Sequence, residues 1–238
     1  MANRPIFTPD FNGYPYVVSM DIDFKWYPGF AKSQMQKSIV SLHEAAEQQG
    51  IQPILEISRK STSRLGVSLS AFNLLLETPS GQEMSVECAY QGSKVFEDGG
   101  PYHDLYQMSS RDAKTDERLK NSGELIGFNF CGEDFPIEPK TVFYDWLYIT
   151  GLYQNKKDLI QELDSFQGFS DIVFNPNRSL NCQARAAALF VSLSKNDLID
   201  KQMFSDIDYY LTVLTGNTEL PPIESTPLQL KLPIDNLE

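Results

Sequence analysis

The ten residues Ser85-Val86-Glu87-Cys88-Ala89-Tyr90-Gln91-Gly92-Ser93-Lys94 bring together a carboxylate, a phenol, an amide and an amine. A carboxylate can act as a base or stabilise positive charge; an amine can bind an anion or, once burial strips its proton, attack as a nucleophile. At ~100° per residue, Tyr90, Gln91 and Lys94 fall within roughly 60° of Glu87, while Cys88, Ala89, Gly92, Val95 and Phe96 cover the other side. By spacing alone this is the pattern of any solvated helix surface. The neighbouring segments must decide what the stripe is for.

Several elements are expected around it. Residues 17 to 26 alternate, with Val18, Met20, Ile22, Phe24 and Trp26 on one side, and predict a half-buried strand. Ala31 to Gln49 carries Met35, Ile39, Leu42 and Ala46 at helical intervals, and Gly50 offers a stop. Strands are expected at 53–58 and 73–77, with a loop from Lys60 to Gly66 between them. A helix over 85–96 follows, then a short charged helix capped by Ser109 or Ser110. A strand at 125–130, a largely buried helix at 141–152, helices at 157–163, 180–193 and 206–214, and a loop with a short strand at 166–176 complete the order. Strands come early and helices late, without βαβ alternation, so one α+β domain over residues 1–216 is predicted. Residues 217–238 carry Pro221, Pro222, Pro227 and Pro233 and are expected to form an extended or disordered tail.

Composition narrows the function. With 238 residues, 41% apolar and 22% charged, the chain reads as a globular protein. A net charge of −12 argues against affinity built on a broad basic surface wrapped around nucleic acid. Basic clusters do occur at Arg59-Lys60 with Arg64, at Arg111, Lys114, Arg118 and Lys120, and at Arg178 with Arg185. Cys88, Cys131 and Cys182 form no C-x-x-C pair, so neither a disulfide framework nor a cysteine metal site is suggested. His43 is expected at a helix surface or boundary, and His103, in a turn, is a weak candidate for substrate contact. No apolar run approaches ~20 residues. A cytoplasmic protein without a metal or cofactor is predicted.

Leu69-Ser70-Ala71-Phe72 followed by the Ser85–Lys94 segment resembles the paired signature of the NADAR superfamily, L-S-N-F and then S-V-E-H-x-x-Q-x-x-K. Arg111-Asp112-Ala113-Lys114 is similar to its R-E-A-K segment, and Tyr144 to Asn155 to its helix ending K-F-x-Q-N. Gln91–Phe96 through Gly100-Pro101-Tyr102, and Asn181 to Ala186, resemble the branch associated with DNA-modifying ADP-ribosyltransferase toxins. The resemblance spans most of residues 17–194. It implies a compact, mainly helical α+β fold, called YbiA-like, with a small sheet. Two positions depart from the pattern: Ala71 stands for the family Asn and Cys88 for its His, and Asn73 is a candidate replacement for the Asn. The later acidic signature is matched loosely by Ser170-Asp171-Ile172 and Phe174-Asn175-Pro176.

Characterised branches cleave N-glycosidic bonds to ribose, through a transition state with oxocarbenium character. The resemblance therefore implies catalytic roles for Glu87 and Lys94. Lys94 is either a phosphate or sugar ligand or an amine that forms a Schiff base with the opened ribose. On a continuous helix it would lie about 10.5 Å from Glu87. Ser70, Phe72, Asn73, Tyr90, Gln91, Arg59, Lys114 and Asp171 are the expected substrate-binding residues. Alternative roles are weighed for some side chains: a core position for Phe72, a helix or turn cap for Ser70. Trp146 and Tyr144 are expected in the core.

The implied activity is removal of ADP-ribose from guanine in DNA or RNA, as antitoxin to an ADP-ribosyltransferase toxin. Its contact with nucleic acid would be small. The alternatives are a non-catalytic binding antitoxin or regulator, and an N-glycosidase of a riboflavin-pathway or nucleotide intermediate.

Overall fold

The computed structural model describes residues 1–29, 31–155 and 159–215. The expected tail at 217–238 lies outside the described residues. The strands are β1 (Ala2–Pro9), β2 (Val17–Phe24), β3 (Ile54–Glu56), β4 (Leu75–Glu77), β5 (Glu83–Ser85), β6 (Lys94–Phe96), β7 (Leu125–Phe130), β8 (Glu133–Phe135) and β9 (Gly168–Ser170). The helices are α1 (Lys32–Glu47), α2 (Arg64–Ser68), α3 (Val86–Gly92), α4 (Ser110–Thr115), α5 (Arg118–Asn121), α6 (Val142–Asn155), α7 (Leu159–Asp164), α8 (Gln183–Lys195) and α9 (Ile207–Thr215), with 3-10 turns at His103–Gln107 and Gln202–Phe204. The class is α+β, as expected. Strands carry more of the chain than a mainly helical fold anticipates, because the N-terminus and the segments flanking α3 pair into sheets.

Chain contacts divide the described residues into two compact units. The first holds the chain through Ser70 together with α7, β9 and α8. Its sheet runs β2-β1-β9-β3, with β9 parallel to β3 and the other pairs antiparallel. Successive strand residues point to opposite faces, so burial of both Ile6 and Phe7 means that β1 is covered on both sides. That is why β1, which lacks alternation, was not expected from its sequence. In β2 the expected apolar side is only partly covered. Ile22 and Phe24 join a core with Ile6, Ile39, Leu42 and Ile172, while Val18 and Met20, nearer the strand's start, remain exposed.

The second unit runs from Ala71 through α6 and includes most of α9. Here α6 is buried without interruption from Val142 to Leu152. Its Phe143 and Trp146 pack with Phe128, Phe130 and Phe135 of the β6-β7-β8 sheet. Trp146 and Tyr144 are core residues, as expected. At the end of α6, Gln154 lashes down the β4-β5 hairpin: its Oε1 accepts from Glu77 N (2.8 Å) and its Nε2 donates to Glu77 O (3.0 Å). Asn155 Nδ2 donates to Leu75 O. The hairpin is thus fixed where it hands the chain to α3. Among the described residues no helix is long and apolar enough to cross a membrane.

Candidate active site

The start of α3 is tied down at every turn-one donor the chain can reach. Ser85 is the N-cap, and its Oγ accepts from Cys88 N at 3.1 Å. The Val86 and Glu87 amides donate to Leu74 O and Ala71 O, 2.9 Å each. Ser110, at the start of α4, bonds Ser85 Oγ (2.8 Å) and donates to Phe72 O (2.9 Å). The segment Ala71–Leu74 and the starts of α3 and α4 therefore form one hydrogen-bonded assembly. It holds Glu87, Phe72 and Lys114 together.

Glu87 is only 5% exposed. Its Oε1 accepts from Gln91 Nε2 at 2.8 Å and lies 3.4 Å from Lys114 Nζ. Gln91 is equally buried, and its Oε1 has no hydrogen-bond partner among the described residues. An orphaned buried acceptor costs on the order of 1–3 kcal/mol, so a donor arriving beside Glu87 would recover that cost. The Lys114 ammonium also stands 5.1 Å from the centre of the Phe72 ring. Lys114 is half exposed, and its pairing with Glu87 is accordingly weakened by solvent.

Lys94 departs from the expected helix over 85–96. After Gly92 the chain leaves α3: Ser93 O accepts from Asn129 N at 2.7 Å, and Lys94 opens β6 opposite Phe128. Gly100, at φ +83°, makes room for this; a Cβ there would lie 2.2 Å from Lys94 O. Gly92 likewise has no space for a Cβ against Tyr106, whose hydroxyl bonds Ser93 Oγ at 2.8 Å. Lys94 Nζ rests 4.7 Å from the Tyr90 ring centre. Burial lowers its pKa to about 8, against the pull of Glu87, which raises it, while Lys114 lowers it further. Glu87, Lys94 and Lys114 thus feel one another's charge although Lys94 is not on the helix.

Tyr90 has a different setting from a free stacking platform. Its ring packs with Phe128, Phe143 and Tyr144 at 5.3–6.2 Å, so it lines the aromatic core and offers Lys94 a face. Asn73 is exposed in the segment before β4. In the basic cluster around α4 and α5, Arg118 is engaged with Asp104 (2.7 Å) and Asp116 (2.9 Å).

Ser70, Arg59 and Asp171 belong to the first unit. Ser70 Oγ donates to Val67 O at 2.9 Å and is fully buried, the cap role weighed for it above. Arg59 is exposed. Asp171, at the end of β9, accepts from Val173 N (3.0 Å) and Phe174 N (3.2 Å) through Oδ1 and from Gln183 Nε2 (2.9 Å) through Oδ2.

The sequence matches the family profile of the DarT1-associated NADAR antitoxin over residues 2–221. The chain belongs to this family. Among curated proteins nothing matches it. The two departures from the NADAR pattern have structural consequences. Cys88 is buried with its thiol donating to Met108 O at 3.2 Å, so this position faces packing and not the Glu87 carboxylate's partners. Ala71, also buried, accepts the Glu87 amide with its carbonyl. In this NADAR chain Gln154 and Asn155, which match the end of the family's Q-N helix, act as ties to β4.

Three residues with unusual settings were not singled out from the sequence as site residues. Glu56, the last residue of β3, is buried; Gln183 bridges Asp171 and Ile57 O; His43 bonds Ser170. A glutamate in the middle of Ile54-Leu55-Glu56-Ile57 was the one signal available for the first. A charge in a short strand that is otherwise apolar needs a partner.

Proposed function

We propose that this NADAR antitoxin is an ADP-ribosyl glycohydrolase that removes ADP-ribose from guanine in DNA or RNA and so reverses the modification made by its cognate ADP-ribosyltransferase toxin. The single observation that carries the reading is the trio of Glu87, Gln91 and Lys94. A buried carboxylate lies beside an orphaned amide oxygen and within electrostatic reach of an amine that gives up its proton near neutral pH. A ribose hydroxyl would satisfy Gln91 Oε1, and Glu87 would stabilise the oxocarbenium character that develops at the sugar carbon. Lys94, as free amine, would attack C1 of the ribose. A C–N bond to lysine forms as the bond to guanine breaks, and the departing nitrogen takes a proton. The ring then opens to an iminium, which water hydrolyses to ADP-ribose and the regenerated amine.

Phe72, Asn73 and Lys114 are proposed substrate contacts on the same unit, with Ser70, Arg59 and Asp171 as further contacts. No metal or cofactor enters this chemistry. A small contact centred on ADP-ribose reconciles a net charge of −12 with a nucleic-acid substrate. The same acidity fits a second reading, a stoichiometric binder of a basic toxin acting in the cytoplasm. Incubation of ADP-ribosylated oligonucleotide with substoichiometric protein separates the two: multiple turnovers with release of free ADP-ribose are expected, and protection only at equimolar protein would favour the binder.

A further inference from the structure

The first unit contains a buried polar chain to which the proposed chemistry assigns no role. Glu56 is 3% exposed and Ser170 is fully buried. Glu56 Oε2 lies 2.5 Å from Ser170 Oγ, Oε1 accepts from Ile172 N at 2.9 Å, and Ser58 adds a further side-chain hydrogen bond. Ser170 and Ile172 are the two neighbours of Asp171 in the chain. Glu56 therefore grips both sides of Asp171.

Ser170 Oγ is also 2.8 Å from His43 Nε2, on α1. A hydroxyl has one proton to donate and stands here between a carboxyl and an imidazole. If Glu56 is a neutral acid, it donates to Ser170, Ser170 donates to Nε2, and His43 must carry its proton on Nδ1. If Glu56 is a carboxylate, Ser170 donates to it, and His43 must be the Nε2–H tautomer to donate to Ser170. With the Glu56 proton on Oε2, facing Ser170, or absent, the chain runs in one of these two directions.

We propose that Glu56, Ser170 and His43 form a proton-coupled clamp that positions Asp171, running from Glu56 to His43 at neutral pH and reversing when Glu56 ionises. It rests on the reading of Asp171 as a substrate contact only for its kinetic consequence. Burial, with the charge of Asp171 second, pushes Glu56 up to about 8. Burial lowers His43 to about 4, so it stays neutral throughout the reversal and only its tautomer changes. The titratable and charged groups bearing on the clamp are Asp171 after β9 and His43 of α1; Arg4 of β1 acts in turn on Asp171. Ionised Glu56 would place a second negative charge beside Asp171 and alter the hold on its neighbours. Glu56 thus acts as a positioning residue.

The test has two arms. In ¹⁵N NMR of the wild-type protein, the His43 ring is expected to pass from Nδ1–H to Nε2–H with a midpoint near pH 8, and Ser170→Ala is expected to abolish that step. A tautomer constant from pH 6 to 9.5, or the same step in Ser170→Ala, overturns the clamp. In the second arm, Glu56→Gln keeps the shape and cannot ionise. Its activity on ADP-ribosylated DNA is expected to hold at high pH through an unchanged KM. Wild type at pH 9.5 should fall about 30-fold below its own neutral-Glu56 level, the loss lying mainly in KM. An alkaline fall retained in Glu56→Gln overturns the positioning role. An inactive protein would refute the glycohydrolase reading and leave the NMR arm to decide on the clamp.

Discussion

Replacing Lys94 by arginine separates the two roles open to this side chain. Arginine keeps the positive charge and can hold a phosphate or sugar oxygen, but it does not deprotonate in proteins. A lysine at its ordinary value of 10.5 would be about one part in a thousand free amine near pH 7.5; at about 8 the fraction is about a quarter, a gain of roughly 200-fold. If the free amine is the nucleophile, Lys94→Arg should lower kcat by at least two orders of magnitude while the protein remains folded. In the wild type, the free fraction rises about 50-fold between pH 6 and pH 8, and kcat should rise with it. Single-turnover assays with ADP-ribosylated oligonucleotide read the rate, and borohydride added during turnover should leave a covalent ADP-ribosyl adduct on the wild type that Lys94→Arg lacks. An arginine variant within about tenfold of wild type, or an adduct that survives the substitution, would refute the nucleophile and leave Lys94 as an anion ligand.

Other outcomes follow from the same structure. Gln91→Leu removes the orphaned acceptor but also the amide that donates to the buried Glu87 carboxylate: it should cost about 1–3 kcal/mol and raise KM, as read by denaturant unfolding and steady-state kinetics. Gly92→Ala places a methyl 2.5 Å from the Tyr106 ring and should cost about 1–3 kcal/mol in denaturant unfolding. Gln154→Ala breaks both ties to Glu77 and should cost about 1–3 kcal/mol, with lost activity because the hairpin feeds α3. His43 is depressed from 6.5 to about 4, so its neutral form contributes stability in full above pH 6.5 and loses it as pH falls through 4. His43→Gln should therefore flatten the acid side of the stability curve by about 3 kcal/mol, measured as unfolding free energy at pH 7 and pH 4.

What the sequence could convey was local. The density of apolar residues from Val142 to Leu152 marked α6, and the helix expected from residue 85 onward placed the start of α3 within a residue of where it lies. Where α3 ends was not legible, since Ser93 leaves the helix for a bond from Asn129, 36 residues on. The helical-wheel face consequently placed Glu87 and Gln91 together correctly and misplaced Lys94, whose position depends on β6 pairing with β7. Alternation in 17–26 showed a strand but not how far the core extends along it, so Val18 and Met20 were expected inside. Glu56 was hidden for the same reason: its partners Ser170 and Ile172 are more than a hundred residues away. Resemblance to the NADAR signature supplied what spacing could not, by singling out the α3 stripe from among ordinary helix surfaces.

The most direct test of the site is the release of ADP-ribose by wild type and Glu87→Gln, followed by mass spectrometry on the same ADP-ribosylated guanine oligonucleotide. Glutamine keeps the side chain's shape and its bond to Gln91 but carries no charge to stabilise the sugar cation. A catalytic Glu87 predicts free ADP-ribose and unmodified oligonucleotide from the wild type, and intact substrate from a variant that is folded and still binds it. Release by Glu87→Gln at the wild-type rate would contradict it.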